Sequence, residues 1–206
     1  LIVEKYGADT LRMYEMFLGP LEQFKPWNTN GISGVNNFLR KLWRLFHDAE
    51  ENFAVTDTEA TKEELKTLHK TIKKVGEDIE AFSFNTSVST FMVCVNELTA
   101  QQCNKRSILE PLVVLISAYA PHIAEELWEQ LGHNDGVTYQ DFPTFDASHL
   151  VESSHMYPVS FNGKMRFTLE MSLDLTREEI EKTVIENEKT IVQLEGRIPK
   201  KVIVVQ

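Results

Sequence analysis

The residues able to do chemistry are few and scattered. His122 and Glu126 stand at i, i+4 in PHIAEELW, a spacing that puts two ligands on one helix face. A metal site needs a third ligand and usually a second histidine, and the sequence offers neither nearby. His122 is therefore expected at a helix terminus, with Glu125 and Glu126 in solvent. His133, His149 and His155 lie in an acidic stretch flanked by Pro143 and Pro158 and are expected on the surface. Cys94 and Cys103 match no metal spacing, and without a secretion signal they read as two reduced cytosolic thiols. Ser89, Ser107, Ser117 and Cys94 fall in helical patterns with no base and orienting acid beside them. Gly31-Ile-Ser-Gly34 is too short for a phosphate loop and follows no strand. Residue types and spacing thus point to no catalytic centre and no bound metal.

Charge is more informative. The 206 residues carry a net charge of −10, which argues at first against a nucleic-acid partner. The acid is concentrated in residues 47–81 and 121–156. Residues 1–46 carry more Lys and Arg than Asp and Glu, and residues 157–206 hold basic clusters within a balanced total. The acidic blocks read as solvated faces. No apolar run is long enough to span a membrane. LIVEKYGADT has neither a basic n-region nor a long apolar h-region, and it has no initiator Met, so the chain is expected to begin within something longer.

The elements that must position these residues follow from periodicity. Asp9 is placed to cap a helix with Leu11, Tyr14, Phe17 and Leu18 on one face, ended by Gly19-Pro20. The loop FKPWNTNG follows. Val35, Phe38, Leu39, Leu42 and Phe46 then mark an amphipathic helix, with Arg40, Lys41 and Arg44 off its apolar stripe. Residues 52–60 read as a polar linker. Thr61-x-x-Glu64 is a capping box before Leu65, Leu68, Ile72, Val75, Ile79 and Phe82. Val88, Met92, Val95 and Leu98 form the next apolar face. Ser107-x-x-Glu110 reads as another box, opening LVVLISAYA, which is apolar all round and belongs at the bundle centre. Pro121 suits the first turn of a helix with Ile123, Leu127, Trp128 and Leu131 inward.

Residues 133–155 are loop-like, and the period then changes to two. Tyr157–Phe161, Asn162-Gly163 and Lys164–Met171 spell a hairpin with a two-residue turn. Thr176-x-x-Glu179 caps a helix carrying Ile180, Val184, Ile191 and Leu194, Gly196 ends it, and Lys201–Gln206 reads as a strand. The fold class is therefore mainly α: a connecting segment over 1–31, a helical bundle over 32–150, and a small ββαβ module of the α+β class over 156–206.

At this level of detail the sequence resembles a family. YGADTLR at Tyr6–Arg12, MFLGPLE at Met16–Glu22 and KPWNTNG at Lys25–Gly31 closely resemble the bacterial leucyl-tRNA synthetases, which are class I synthetases. APHIAEELW at Ala120–Trp128 is a pattern shared with related class I enzymes. FNGKMR at Phe161–Arg166 and KVIVV at Lys201–Val205 resemble the family's C-terminal domain. Phe167 stands where the family tends to a small residue, and the family usually continues past its last strand. The wider class leaves a valyl or isoleucyl relative as an alternative, and the acidic charge would suit a non-catalytic helical scaffold for protein partners.

The resemblance implies a C-terminal fragment: the anticodon-binding helical bundle and the C-terminal domain. The whole enzyme would attach leucine to tRNA(Leu) using ATP and Mg²⁺ held in a catalytic domain that this sequence lacks. A cytoplasmic, monomeric, membrane-free protein that binds tRNA is implied. The cations offered for RNA are Arg40, Lys41 and Arg44 in the bundle, Lys105 and Arg106 between helices, and Lys164, Arg166, Lys200 and Lys201 in the last module. Lys25, Pro26, Trp27, Asn28, Asn30 and Gly31 form the hinge. There Pro26 would fix the entry angle, Trp27 would fill a pocket, and the Asn residues and Gly31 would make the turn.

Overall fold

A computed structural model of the chain describes residues 1–151, 154–173, 175–197, 199 and 201–204. They divide into two compact units, Leu1–Leu150 and Val151–Gln206.

The first unit is all helical. It contains α1 (Ile2–Tyr6), α2 (Ala8–Phe17), α3 (Ile32–Phe46), α4 (Lys62–Glu80), α5 (Phe84–Ala100), α6 (Arg106–Ser117) and α7 (Pro121–Gln130). Helix α3 buries Val35, Phe38, Leu39, Leu42 and Phe46, the expected stripe, together with Ile32 and Leu45. Helix α2 is rotated from its expected face. Thr10, Met13 and Tyr14 are buried, whereas Leu11 and Leu18 are only half-covered. The capping box before α4 forms as expected. Thr61 Oγ1 accepts from Glu64 N at 3.2 Å, and Glu64 Oε2 accepts from Thr61 N at 2.7 Å. Leu68, Ile72 and Val75 then point inward, but Phe82 lies beyond the helix in the left-handed region and is 68% exposed.

Helix α6 is the centre. Ile108, Leu109, Leu112, Val113, Leu115 and Ile116 are all buried. Each fully buried aliphatic side chain of this kind contributes roughly 1.5–3 kcal/mol relative to solvent exposure. The capping box expected at Ser107-Glu110 does not form. The helix begins two residues earlier, after Lys105, and has no side-chain cap. Its start is held instead by residues 52–60, which are not a free linker: Thr56 N donates to the Asn104 carbonyl and Arg106 N to the Thr56 carbonyl, both at 2.9 Å. Pro121 opens α7 as expected, and Ala124 is buried in the place foreseen for Ile123, which is half-exposed.

The second unit is a hairpin and two short helices. β1 (Ser154–Phe161) pairs antiparallel with β2 (Lys164–Ser172) across Asn162 (φ 49) and Gly163 (φ 79). Two successive positive φ values are the geometry a two-residue hairpin turn demands, and Asn-Gly supplies them. The Thr176-Glu179 capping box also forms, opening α8 (Arg177–Glu186). The single helix expected here is broken. Asn187 turns extended, its side chain accepts from Lys189 N, and α9 (Glu188–Leu194) restarts. The last expected strand is not found over 201–204, and residues 205 and 206 lie outside the described set. The β-branched run Lys201–Val204 has strand propensity, but a strand exists only where a neighbour completes its ladder, and the described sheet has only β1 and β2.

Candidate functional site

The loop at 18–31 is tied down from within. Lys25 Nζ donates to the Leu18 carbonyl at the end of α2, so this half-buried cation caps a helix. Gly19 makes that reach possible: its φ is +142, and a Cβ there would overlap the Lys25 ammonium. Tyr14 Oη donates to the Asn28 carbonyl at 2.9 Å, and Asn30 N donates to Asn28 Oδ1 at 3.1 Å. Gly31 passes close to the same ring, where an added Cβ would sit 3.3 Å from Tyr14. Trp27 meets Tyr14 edge to face at 5.9 Å, but it fills no pocket: it is 51% exposed, and Pro26 beside it is exposed as well.

Within the first unit the cationic candidates do not form one cluster. Arg40, Lys41 and Arg44 share the solvent side of α3, a helix without a single Asp or Glu. Lys41 Nζ donates to Asn96 Oδ1 on α5 at 3.0 Å. Arg106 is differently employed. Its Nε lies 2.6 Å from Asp57 Oδ1, and one terminal nitrogen donates to the Leu131 carbonyl at 2.7 Å. It thereby ties residues 52–60 to α6 and to the end of α7. Lys105 donates to Asn104 beside it at 3.1 Å.

In the second unit Lys164, Arg166 and Lys201 are exposed, and Lys200 lies outside the described residues. Lys164 pairs with Phe161, Met165 with Ser160 and Phe167 with Val159, so Arg166 is the extra residue of a β-bulge. Strict alternation would put Lys164 and Arg166 on one face. The bulge breaks that alternation: Lys164 stays on the face of Phe161, Val159 and Phe167, and Arg166 has no partner in the register.

Helix α4 holds cations absent from the candidates named above. Lys70, Lys73 and Lys74 are exposed on it and border a groove against α5. Their i, i+3, i+4 spacing is a signal visible in the sequence, hidden by the acidic total of residues 47–81.

The titratable groups are structural. Asp9 does not cap its own helix. Its Oδ2 accepts from Ile123 N at 2.8 Å, and its Oδ1 lies 3.3 Å from His122 N and 2.8 Å from His122 Nδ1. It caps α7 from another helix, and His122 is its partner. Among the described residues no group of three His, Cys, Asp or Glu side chains could hold a metal ion. His133 and His149 are not plain surface residues: His133 stacks on Trp128 at 3.8 Å and His149 on His69 at 4.4 Å. Burial, then the neighbouring His149, hold His69 below the ordinary histidine value, partly opposed by Asp146. Asp146 N donates to His69 Nδ1 at 3.1 Å, which requires that nitrogen unprotonated. Cys94 and Cys103 are buried free thiols, both pushed up to about 12 chiefly by desolvation. No helix among the described residues is long and apolar enough to cross a membrane.

Comparison with known proteins places this geometry. Residues 62–185 match the family model described as the anticodon-binding domain of tRNA ligase. The chain is 70% identical over 204 residues to a leucine–tRNA ligase of Christiangramia forsetii, and 66% identical over 204 residues to one of Flavobacterium johnsoniae. Each match covers 99% of this chain and 21% of the relative, so the chain spans about a fifth of the relatives' length. Among solved structures it is similar to Agrobacterium radiobacter K84 agnB2 LeuRS in a ternary complex with tRNA and LeuAMS. The TM-score is 0.65 at 27% identity, covering 99% of this chain and 28% of that one.

Proposed function

We propose a function from one premise: the chain belongs to the anticodon-binding domain family of tRNA ligases. It is the tRNA-binding C-terminal part of a leucine–tRNA ligase, and the parent enzyme joins leucine to tRNA(Leu). The high identity to ligases named for leucine favours that amino acid over valine or isoleucine. ATP and Mg²⁺ serve the parent's catalytic step. We assign their binding to the rest of the parent: among the described residues no three His, Cys, Asp or Glu side chains group to hold a metal ion.

The observation that carries the tRNA reading is the solvent face of α3. Arg40, Lys41 and Arg44 lie within about one turn of each other, with no acid on the helix, in a chain of net charge −10. A cationic face kept clear of acid suits a phosphodiester backbone, which attracts cations through counterion release. Lys164, Arg166 and Lys201 offer further exposed cations, while Arg106 acts as an internal clasp.

The test is tRNA binding by the chain and by Arg40→Glu/Arg44→Glu, followed by anisotropy of labelled tRNA from about 50 mM to about 200 mM salt. The double variant should bind more weakly, with a salt slope shallower by about one unit for each phosphate it no longer neutralises. Equal affinity and equal slope in both proteins would refute the role of α3.

A further inference from the structure

Helix α5 is nearly uncharged, and Glu97 is its only ionisable side chain apart from the buried Cys94. Glu97 Oε2 accepts from Thr67 Oγ1 at 3.2 Å, which draws it back toward α4. Ser89, Val93 and Asn96, at i, i+4 and i+7, share its exposed stripe. The helix packs against both α3 and α4. Lys41 of α3 reaches the stripe at Asn96. From α4, Lys70, Lys73 and Lys74 border a groove of about 510 Å³ whose other wall includes Ser89, Thr90 and Val93.

The lysines of α4 are not equivalent. Lys74 is paired with the buried Asp78 and is largely neutralised. Lys73 lies over the Phe145 ring at 5.9 Å, and Lys70 has no ion-pair partner among the described residues. Glu77 and Glu97 also line the groove, so the cations it offers a phosphate are the two lysines without an ion pair, Lys70 and Lys73.

We propose that the exposed faces of α3, α5 and α4 form one continuous seat for an RNA phosphodiester backbone, with Lys70 and Lys73 holding phosphates at the edge opposite Lys41. The inference rests on the tRNA-binding reading and assigns it an edge that reading does not contain. A neutral, hydroxyl- and amide-bearing strip between two cationic rims suits the arrangement. The rims take the phosphates, while Ser89 and Asn96 can hydrogen-bond the sugar and its 2′-hydroxyl. A protein partner of ordinary interface chemistry would want a broad apolar centre there, whereas the exposed stripe of α5 offers only Val93, with Leu150 at the groove's edge.

The experiment compares tRNA binding by the unmodified chain, by Lys70→Gln/Lys73→Gln, and by the control Lys5→Gln/Lys62→Gln. The control makes the same charge change at α1 and at the start of α4. All three are measured from about 50 mM to about 200 mM salt. The expected result is weaker binding for the Lys70/Lys73 variant, with a slope shallower by about two units, and parental behaviour for the control. Circular dichroism and melting should be unchanged, since neither lysine is buried. A Lys70/Lys73 variant that binds like the unmodified chain overturns the inference while leaving the α3 reading intact. Equal weakening in the control also overturns it, because net charge alone would then explain the effect. An unmodified chain that shows no salt-dependent tRNA binding overturns the tRNA reading, and this inference with it.

Discussion

Replacing Asp9 should loosen a helix that is remote from it in sequence. Asp9 is 8% exposed, and its carboxylate accepts from two backbone N–H groups of α7 and from the His122 ring. Helix α7 has no side-chain cap of its own, because Ala120 occupies its N-cap position. Loss of a helix cap costs about 0.5–2 kcal/mol. The carboxylate also faces the positive end of the helix dipole, which adds about 0.3–1 kcal/mol. Asp9→Ala removes both effects and strands buried donors, so a loss of roughly 2–4 kcal/mol is expected. For a unit of this size that is a fall in Tm of about 4–16 °C. Asp9→Asn keeps one acceptor and loses the charge, so it should fall between Ala and the parent. Denaturant unfolding followed by far-ultraviolet circular dichroism gives the magnitude, and Trp128 on α7 reports locally by fluorescence. An Asp9→Ala chain that melts like the parent would show that water caps α7 equally well, and the argument would be wrong.

Three further outcomes follow from the same packing. His69 titrates below its unfolded value, so acid favours the unfolded chain: its contribution is complete above about pH 6.5 and is lost as pH falls toward the depressed folded value. The parent should therefore lose more stability than His69→Gln between about pH 7.5 and about pH 5, and equal losses would exclude His69 as the source. Cys94 and Cys103, with thiols near 12, should resist a disulfide reagent in the native state and react on unfolding; rapid native labelling of both would contradict their burial. Leu115→Ala, at a site 3% exposed on the central helix, should cost about 2–5 kcal/mol by denaturant titration, and an unchanged midpoint would remove α6 from the core.

What was legible in the sequence is what depends on near neighbours. The capping boxes at Thr61-Glu64 and Thr176-Glu179 are closed by residues three apart, and both form. The turn at Asn162-Gly163 and the apolar stripe of α3 are equally local. The misses depend on a remote partner. Asp9 looked like the cap of its own helix because nothing in its vicinity pointed to the amides of residues 122 and 123. Ser107-Glu110 has the letters of a box, but the chain entering α6 is held by Thr56, so the helix starts before the serine can cap it. Arg106 reads as a free cation until Asp57 and the Leu131 carbonyl are brought to it. The bulge at Arg166 depends on which residue of β1 each residue of β2 faces, and alternation along one strand does not encode it.

The same distinction explains why net charge was a poor guide to this surface. A sum over residues 47–81 mixes the carboxylates of α4 with its lysines and returns an acidic block. A helix separates them by angle. Glu64 is buried in its cap and Asp78 is buried against Lys74, so part of the acid is withdrawn from the surface, while Lys70 and Lys73 face outward with Glu77 beside them. Electrostatic attraction for a polyanion is set by the charges within about one Debye length, roughly 8–10 Å, and not by the whole-chain total. A protein of net charge −10 can therefore present a cationic face to RNA and repel it elsewhere. On the proposed reading the acidic remainder would favour one docking orientation, because like charge penalises other approaches of the phosphates.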